Sequence, residues 1–191
     1  MPDNERVALA VIASITGMMA FVEGTLSIPA GSTALLADAL IFLQLSINAA
    51  FALQASTGTS GRRRWTVQLQ GGLMMTLGAL VCAAAVRGFM LGTLPHPWLM
   101  IAVGAVALAA SMGAWAVMLR QRRGPSGLNA LWRSGRTDAV SNVAVIAAGV
   151  AVAATRSNIP DLVIGGAMAT LFVISGWRIA MTGRLDAGRT R

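Results

Sequence analysis

The chain contains no lysine and no tyrosine, and only one cysteine and one histidine among its 191 residues. A single cysteine, Cys82, excludes an internal disulfide and a cysteine-based metal site. Charged residues make up 12% of the chain, against about 25% in a typical soluble domain. The sequence also lacks a nucleophile paired with a base and a nucleotide-binding motif, so we expect neither enzymatic activity nor a firmly bound cofactor.

Apolar residues fill most of the sequence, which has a mean hydropathy of +0.68. A membrane-spanning helix needs about 20 apolar residues, and the chain offers six such stretches separated by short polar loops. We therefore predict an all-α membrane protein with six transmembrane helices. The six spans and their loops use nearly the whole chain, which predicts a single transmembrane domain over 1–191 without a C-terminal cytosolic domain. The predicted spans are approximately 7–28, 33–54, 67–90, 98–119, 131–154 and 160–181.

All 15 basic residues are arginines, and the net charge is +8. They lie in loops and tails rather than in one basic domain with interleaved aromatic residues, which argues against nucleic-acid binding. Arg156 and Arg87 belong to one side of the membrane, and most others to the opposite side. By the positive-inside rule the arginine-rich side is cytoplasmic, so we expect both termini in the cytoplasm and the spans in a bacterial inner membrane. The arginines on that side are Arg6, Arg62, Arg63, Arg64, Arg120, Arg122, Arg123, Arg184, Arg189 and Arg191.

Three carboxylates, Glu23, Asp38 and Asp138, lie inside predicted spans. An ionised Asp at the bilayer centre costs about 2.5–3.5 kcal/mol, so such groups are usually paired, protonated or functional. Glu23 and Asp38 should lie at the same depth near the outer face, where two like charges favour retention of one proton. Asn142, one turn beyond Asp138, could approach that pair. Two interpretations remain open: a hydrogen-bonded cluster that joins helices, and a site for a cation or a proton.

The segment from Ser32 to Ala39, S-T-A-L-L-A-D-A, resembles the start of the second helix in the cation diffusion facilitator family of divalent-metal exporters. Phe21-Val22-Glu23 resembles the end of that family's first helix. Thr137-Asp138-Ala139 with Ser141-Asn142 resembles its fifth helix, and Ile159-Pro160-Asp161 resembles the start of its sixth. The resemblance extends from about residue 7 to about residue 183, and it implies a cation-efflux-like bundle and a homodimer.

The resemblance also implies where a metal ion would bind, namely to two residues of the second helix and two of the fifth, each pair spaced H/D-x-x-x-D. In this sequence those positions are occupied by Ile41, Leu45, Ser134 and Asp138. Only Asp138 keeps a family ligand, whereas zinc requires three or four nitrogen, sulfur or carboxylate ligands. The family's histidine-rich loop is replaced by arginines. The candidate metal ligands are therefore Asp138 and Asp38.

Two functions follow from these observations. The first is a divergent transporter that exports Zn²⁺ or another divalent cation in exchange for protons, with Glu23, Asn142 and Ser134 as further transport or proton-carrying candidates. The second is a non-transporting relative that acts as a membrane partner or scaffold. The aliphatic residues at two ligand positions favour the second function, and the buried carboxylates favour the first.

Several smaller features predict packing rather than chemistry. Ser32 is a plausible N-cap for the second span, and Pro160 suits the first turn of the sixth. Gln44 and Asn48 lie one turn apart on the second span, beside the helix face that carries Asp38, where they could line a pore or form interhelical hydrogen bonds. The sole histidine, His96, is expected in a surface loop. Small residues that would allow close helix approach are Gly71, Gly72, Gly78, Gly165 and Gly166.

Overall fold

The computed structural model describes the backbone of residues 3–55, 60–120 and 127–188, and the side chains of residues 4–53, 68–119 and 138–181. Every element in these ranges is helical, and all six helices contain a stretch long and apolar enough to cross a membrane. The all-α prediction with six spans is therefore confirmed. The helices are α1 (Asp3–Ala30), α2 (Thr33–Ala55), α3 (Ser60–Leu91), α4 (Pro97–Arg120), α5 (Gly127–Thr155) and α6 (Ile159–Gly188).

Two of the predicted loops are shorter than the sequence indicated. The third span was predicted to begin at about residue 67, but α3 already begins at Ser60. The helix α5 likewise begins at Gly127, ahead of the expected start of its apolar stretch. Arginine is a good helix former and needs no apolar surroundings, so a helix can continue beyond the part that crosses the bilayer.

Three connections between consecutive helices, those after α1, α3 and α5, meet at one end of the bundle, which we call the short-loop end. The His96 amide donates a hydrogen bond to the Ala30 carbonyl at 2.8 Å, joining the loop after α3 to the turn after α1. Asn158, between α5 and α6, donates to the Gly88 carbonyl at 3.3 Å. Gly31 has a φ of +60°, which a glycine adopts at low cost. His96 itself is exposed, as expected.

Helices α1, α2, α4 and α5 pack around a common interior, and α3 pairs with α6 beside them. The α3–α6 pair depends on close backbone approach. A Cβ added at Gly71 would lie 2.8 Å from the Gly176 carbonyl oxygen, and one at Gly78 would lie 3.0 Å from the Ala169 carbonyl oxygen. Gly165 similarly lies against Thr33 of α2. The predicted packing role is correct for Gly71, Gly78 and Gly165 and wrong for Gly72 and Gly166, which have open space where a Cβ would be.

The start of α2 is tied to α6 by Asp161, whose side chain is fully buried. Its carboxylate accepts hydrogen bonds from Ser32 Oγ at 2.5 Å, from the Thr33 amide and hydroxyl at 2.8 Å each, and from the Ala34 amide at 3.1 Å. Ser32 also accepts from the Leu35 amide at 3.1 Å, which confirms it as an N-cap. The negative charge therefore lies at the N-terminus of α2, where the helix dipole stabilises it.

Candidate functional site

A cluster of polar side chains lies in the interior formed by α1, α2, α4 and α5. Its three carboxylates are Glu23, Asp38 and Asp138, and Glu23 and Asp38 are fully buried while Asp138 is 1% exposed. Ser111, Ser141 and Asn142 complete the group, and all three are buried. We call these six residues the acid cluster. Four helices contribute to it, so its geometry depends on the fold as a whole.

Glu23 and Asp38 come together as the sequence indicated. Their carboxyl groups lie within hydrogen-bonding range of each other across the α1–α2 interface. Two carboxylates offer only acceptor atoms, so this contact is favourable only when one of the two holds a proton. Asp138 lies near enough to act electrostatically on both.

Ser141 connects Asp38 to α5. Its hydroxyl donates to Asp38 Oδ1 at 2.5 Å, and it also lies 2.7 Å from the Asp138 backbone carbonyl. The hydroxyl has one proton for two acceptors, so it donates to one of them at a time. When Asp38 carries a proton, the direction reverses: Asp38 donates to Ser141, and Ser141 donates to the carbonyl of Asp138. The side chain thus accommodates both protonation states of Asp38.

Asn142 occupies a different place from the one expected. Its amide nitrogen donates to Ser111 Oγ and to the Asp138 carbonyl, both at 2.8 Å, and Ser111 donates in turn to Asp138 Oδ2. Successive residues are about 100° apart around a helix, so Ser141 faces α2 while Asn142 faces α4. Asn142 was expected to approach Glu23 and Asp38. The α5 residue that contacts Asp38 is instead Ser141.

Five buried oxygen atoms of the acid cluster have no hydrogen-bond donor among the described residues: Glu23 Oε1 and Oε2, Asp38 Oδ2, Asp138 Oδ1 and Asn142 Oδ1. A buried polar atom without a partner is costly, and native structures contain few of them. Protons or a cation would satisfy these atoms. However, no three His, Cys, Asp or Glu side chains in the described ranges are arranged to hold a metal ion.

The positions that the family resemblance assigns to metal ligands contain hydrocarbon instead. Leu45 is 2% exposed and packs against Leu9, Ile12, Ala49 and Met118. Ile41 is half-buried. Ser134 belongs to α5, but its side chain lies outside the described residues, so its predicted role stays a prediction.

A cavity of about 390 Å³ opens between α2, α5 and the α3–α6 pair. Ile41, Leu45 and Ser141 all line it, so it borders the acid cluster at Ser141. Gln44 and Asn48 line it as well. The expected interhelical hydrogen bond is observed, because Asn48 Oδ1 accepts from Gln70 Nε2 of α3. Asn48 Oδ1 also accepts from Gln44 Nε2 of its own helix at 2.8 Å.

Sequence reasoning missed Ser111 and the anchoring role of Asp161. Ser111 is the only hydroxyl, amide or carboxylate side chain between Trp98 and Leu119. That isolation in an apolar span was a usable signal, because a buried hydroxyl needs a partner. Asp161 stood in a first helical turn, but its partners are 127–129 residues away in sequence, which no local pattern reveals.

Comparison with known proteins assigns the family. The sequence profile of the cation efflux transmembrane domain matches residues 67–186, more than half of the chain. This region includes all of α4 and α5, most of α3 and α6, and the residues Asp138, Ser141 and Asn142. Glu23 and Asp38 precede the matched region in the sequence. In the structure Asp38 contacts that region through its hydrogen bond with Ser141. No curated protein sequence matches the chain. The chain belongs to the cation efflux family of integral membrane transporters.

Proposed function

We propose that this protein exports a cation in exchange for protons, and that Glu23 and Asp38 form its proton-carrying pair. The observation that carries the proposal is the set of buried carboxylate oxygens without donors in the acid cluster. A proton on one of these carboxyl groups serves two oxygens, because the protonated oxygen donates to a neighbouring acceptor. A group with only structural duties would have its acceptors satisfied by protein donors, as those of Asp161 are.

Asp138 and Asp38 are the carboxylates that we assign to contact with the cation. Each combines one oxygen hydrogen-bonded to a serine with one oxygen that lacks a donor. Carboxylate and amide oxygens are the ligands preferred by hard cations. For Zn²⁺ the arrangement supplies too few ligands, because Ile41 and Leu45 contribute none. We therefore expect weak zinc binding, and we expect the triple substitution Ile41→His, Leu45→Asp and Ser134→His to strengthen it.

The orientation of the protein in the membrane is inferred from the arginine distribution. We infer that the short-loop end faces the outside of a bacterial inner membrane and that both termini are cytoplasmic. The Glu23–Asp38 pair is then nearer the outer face, where it can exchange protons with that side. Reporter fusions at Gly61 and at Arg191 should both report the cytoplasm, and a periplasmic signal from either would overturn the assigned orientation.

The test is cation-driven proton movement in vesicles that contain the purified protein and an internal pH indicator. An imposed gradient of a transported cation should move protons in the opposite direction. Asp38→Asn should abolish this movement while the protein stays folded, since the amide retains the shape but cannot exchange a proton. Thr25→Val is the matched control, because its hydroxyl bonds only its own helix on an exposed face. Equal proton movement with Asp38→Asn would contradict the proposal.

A non-transporting scaffold is the second candidate, and the burial of Leu45 among four other core residues favours it. In that case no cation drives proton movement, and Asp38→Asn has no phenotype. The resemblance also implies a homodimer or a related membrane partner. Exposed apolar residues on α3 such as Leu80, Phe89 and Met90 would face lipid or that partner, which cysteine crosslinking along α3 can distinguish.

A further inference from the structure

The cavity between α2, α5 and the α3–α6 pair is large for a bare metal ion. Its volume of about 390 Å³ lies in the range of pockets that bind small organic molecules, which are about 300–1,000 Å³. Such pockets are mostly apolar with a few polar groups that fix orientation. The described lining has this composition, because six aliphatic side chains, two methionines and one phenylalanine outnumber three amides and two serines.

The chemistry of the wall disfavours a hydrated inorganic ion. The described lining includes no acidic, basic, histidine or cysteine side chain. Met74, Leu171 and Phe172 contribute hydrocarbon, thioether and ring surface that would gain by covering apolar ligand area. An aromatic ring in the wall also attracts a cation that reaches its face.

The charge preference comes from the end of the cavity at α2 and α5. Ser141 lines the cavity there, and its hydroxyl bonds Asp38 at 2.5 Å. A positive group that stops at Ser141 is therefore one side chain away from Asp38 and the donorless oxygens of the acid cluster. A cation at this point favours ionised Asp38, so its arrival promotes release of the proton that Asp38 shares with Glu23.

We propose that this cavity binds an amphiphilic organic cation, with its apolar body against the α2, α3 and α6 walls and its positive group at Ser141. This inference rests on the proposed function and narrows it, because it names the substrate as an organic cation rather than a metal ion. It also gives Ile41 and Leu45 a positive role. At the positions where relatives would be expected to hold a metal, these residues supply the apolar surface that an organic ligand needs.

Binding to the purified full chain tests the proposal, with tetraphenylphosphonium as the probe and triphenylphosphine oxide as its uncharged counterpart. Titration calorimetry in buffers of different ionisation enthalpy measures both affinity and proton release. We expect the cation to bind more tightly than the neutral probe, on the order of tenfold or more, with release of protons. Asp38→Asn should abolish the proton release and remove most of the preference for the cation.

A second pair of variants locates the ligand. Ala144→Phe adds a ring to the cavity wall, whereas Ala153→Phe adds the same ring on the exposed face of the same helix. The first should weaken binding of tetraphenylphosphonium, and the second should leave it unchanged. If Ala144→Phe does not fold, bulky Ile41→Trp provides an independent block of the cavity.

The outcomes separate this inference from the proposed function. Equal affinity for both probes, or equal binding by Ala144→Phe and Ala153→Phe, overturns the organic-cation site, as does binding of an inorganic divalent cation alone. If an inorganic cation then drives proton movement through Asp38, the proposed function survives without this inference. Binding of tetraphenylphosphonium with proton release, but without transport in vesicles, supports the site and overturns the exporter.

Discussion

Asp161 and the acid cluster are two buried acidic regions with opposite hydrogen-bonding states. The Asp161 carboxylate receives donors on both oxygens, from two hydroxyls and two backbone amides at the start of α2. Glu23, Asp38 and Asp138 together keep four carboxylate oxygens without a donor among the described residues. Both regions are inaccessible, so burial alone does not separate them. The difference is that protein donors satisfy both oxygens of Asp161, whereas the acid cluster keeps oxygens that a proton or a cation can satisfy.

The largest expected effect on stability follows removal of the Asp161 carboxylate. Asp161→Ala leaves four donors at the start of α2 without their acceptor, and an unsatisfied buried donor costs about 1–3 kcal/mol. Because the donors can partly re-pair, we expect a total loss of about 3 kcal/mol in the free energy of unfolding. Reversible unfolding in mixed micelles measures it. Asn158→Ala, which removes one long hydrogen bond at the same end of the bundle, should cost less than about 1 kcal/mol. Similar values for the two variants would contradict the anchoring role of Asp161.

The next largest effect concerns the contact that brings Asp161 to α2. A Cβ at Gly165 would lie 2.7 Å from the Thr33 carbonyl carbon and 2.8 Å from the Ala34 amide nitrogen. Gly165→Ala should therefore push α6 away from α2 and destabilise the protein by about 1–3 kcal/mol. The neighbouring Gly166 has open space, so Gly166→Ala should be neutral or slightly stabilising, since alanine favours helix by about 1 kcal/mol. The same unfolding assay compares them, and equal effects would refute the close α2–α6 contact.

The smallest expected effect on stability, and one of opposite sign, follows substitution in the acid cluster. Asp38→Asn supplies an amide donor to a neighbouring oxygen that has none, so we expect stability to be unchanged or to rise by about 1 kcal/mol. Asp161→Asn, the same chemical change, directs an amide group at existing donors and should lower stability. Loss of stability in both variants to the same extent would erase the distinction between the two regions.

Much of the architecture was predictable from the sequence, because a span is a local property. Six apolar stretches of the required length gave six helices, and the N-cap Ser32 and the first-turn residue Pro160 lie where the sequence placed them. The interaction of Glu23 with Asp38 was also predictable, since both are counted from the same turn. The assignments that failed required rotation about a helix axis. Whether Ser141 or Asn142 faces α2 depends on a difference of about 100°, which packing decides.

The partners of Asp161 and Ser111 were not predictable for a related reason. Each contact joins residues far apart in the chain, and the local sequence shows only that a polar group must find some partner. The cavity was equally hidden, because its walls come from four helices and Gln44 and Asn48 alone do not reveal its volume. Local patterns therefore gave the spans and their candidate residues, whereas long-range contacts determined which acidic residue is structural and which remain uncompensated.

The central claim is that the Glu23–Asp38 pair holds a proton, because no hydrogen-bond donor of the described residues takes its place. Infrared spectroscopy of the carboxyl C=O stretch tests this claim most directly. At neutral pH the unmodified protein should show a band from a protonated, buried carboxyl group. That band should weaken in the double variant Glu23→Gln, Asp38→Asn and stay unchanged in Asp161→Asn, whose carboxylate is fully compensated in the unmodified protein. Absence of the band from the unmodified protein, or equal intensity in the double variant, would contradict the account.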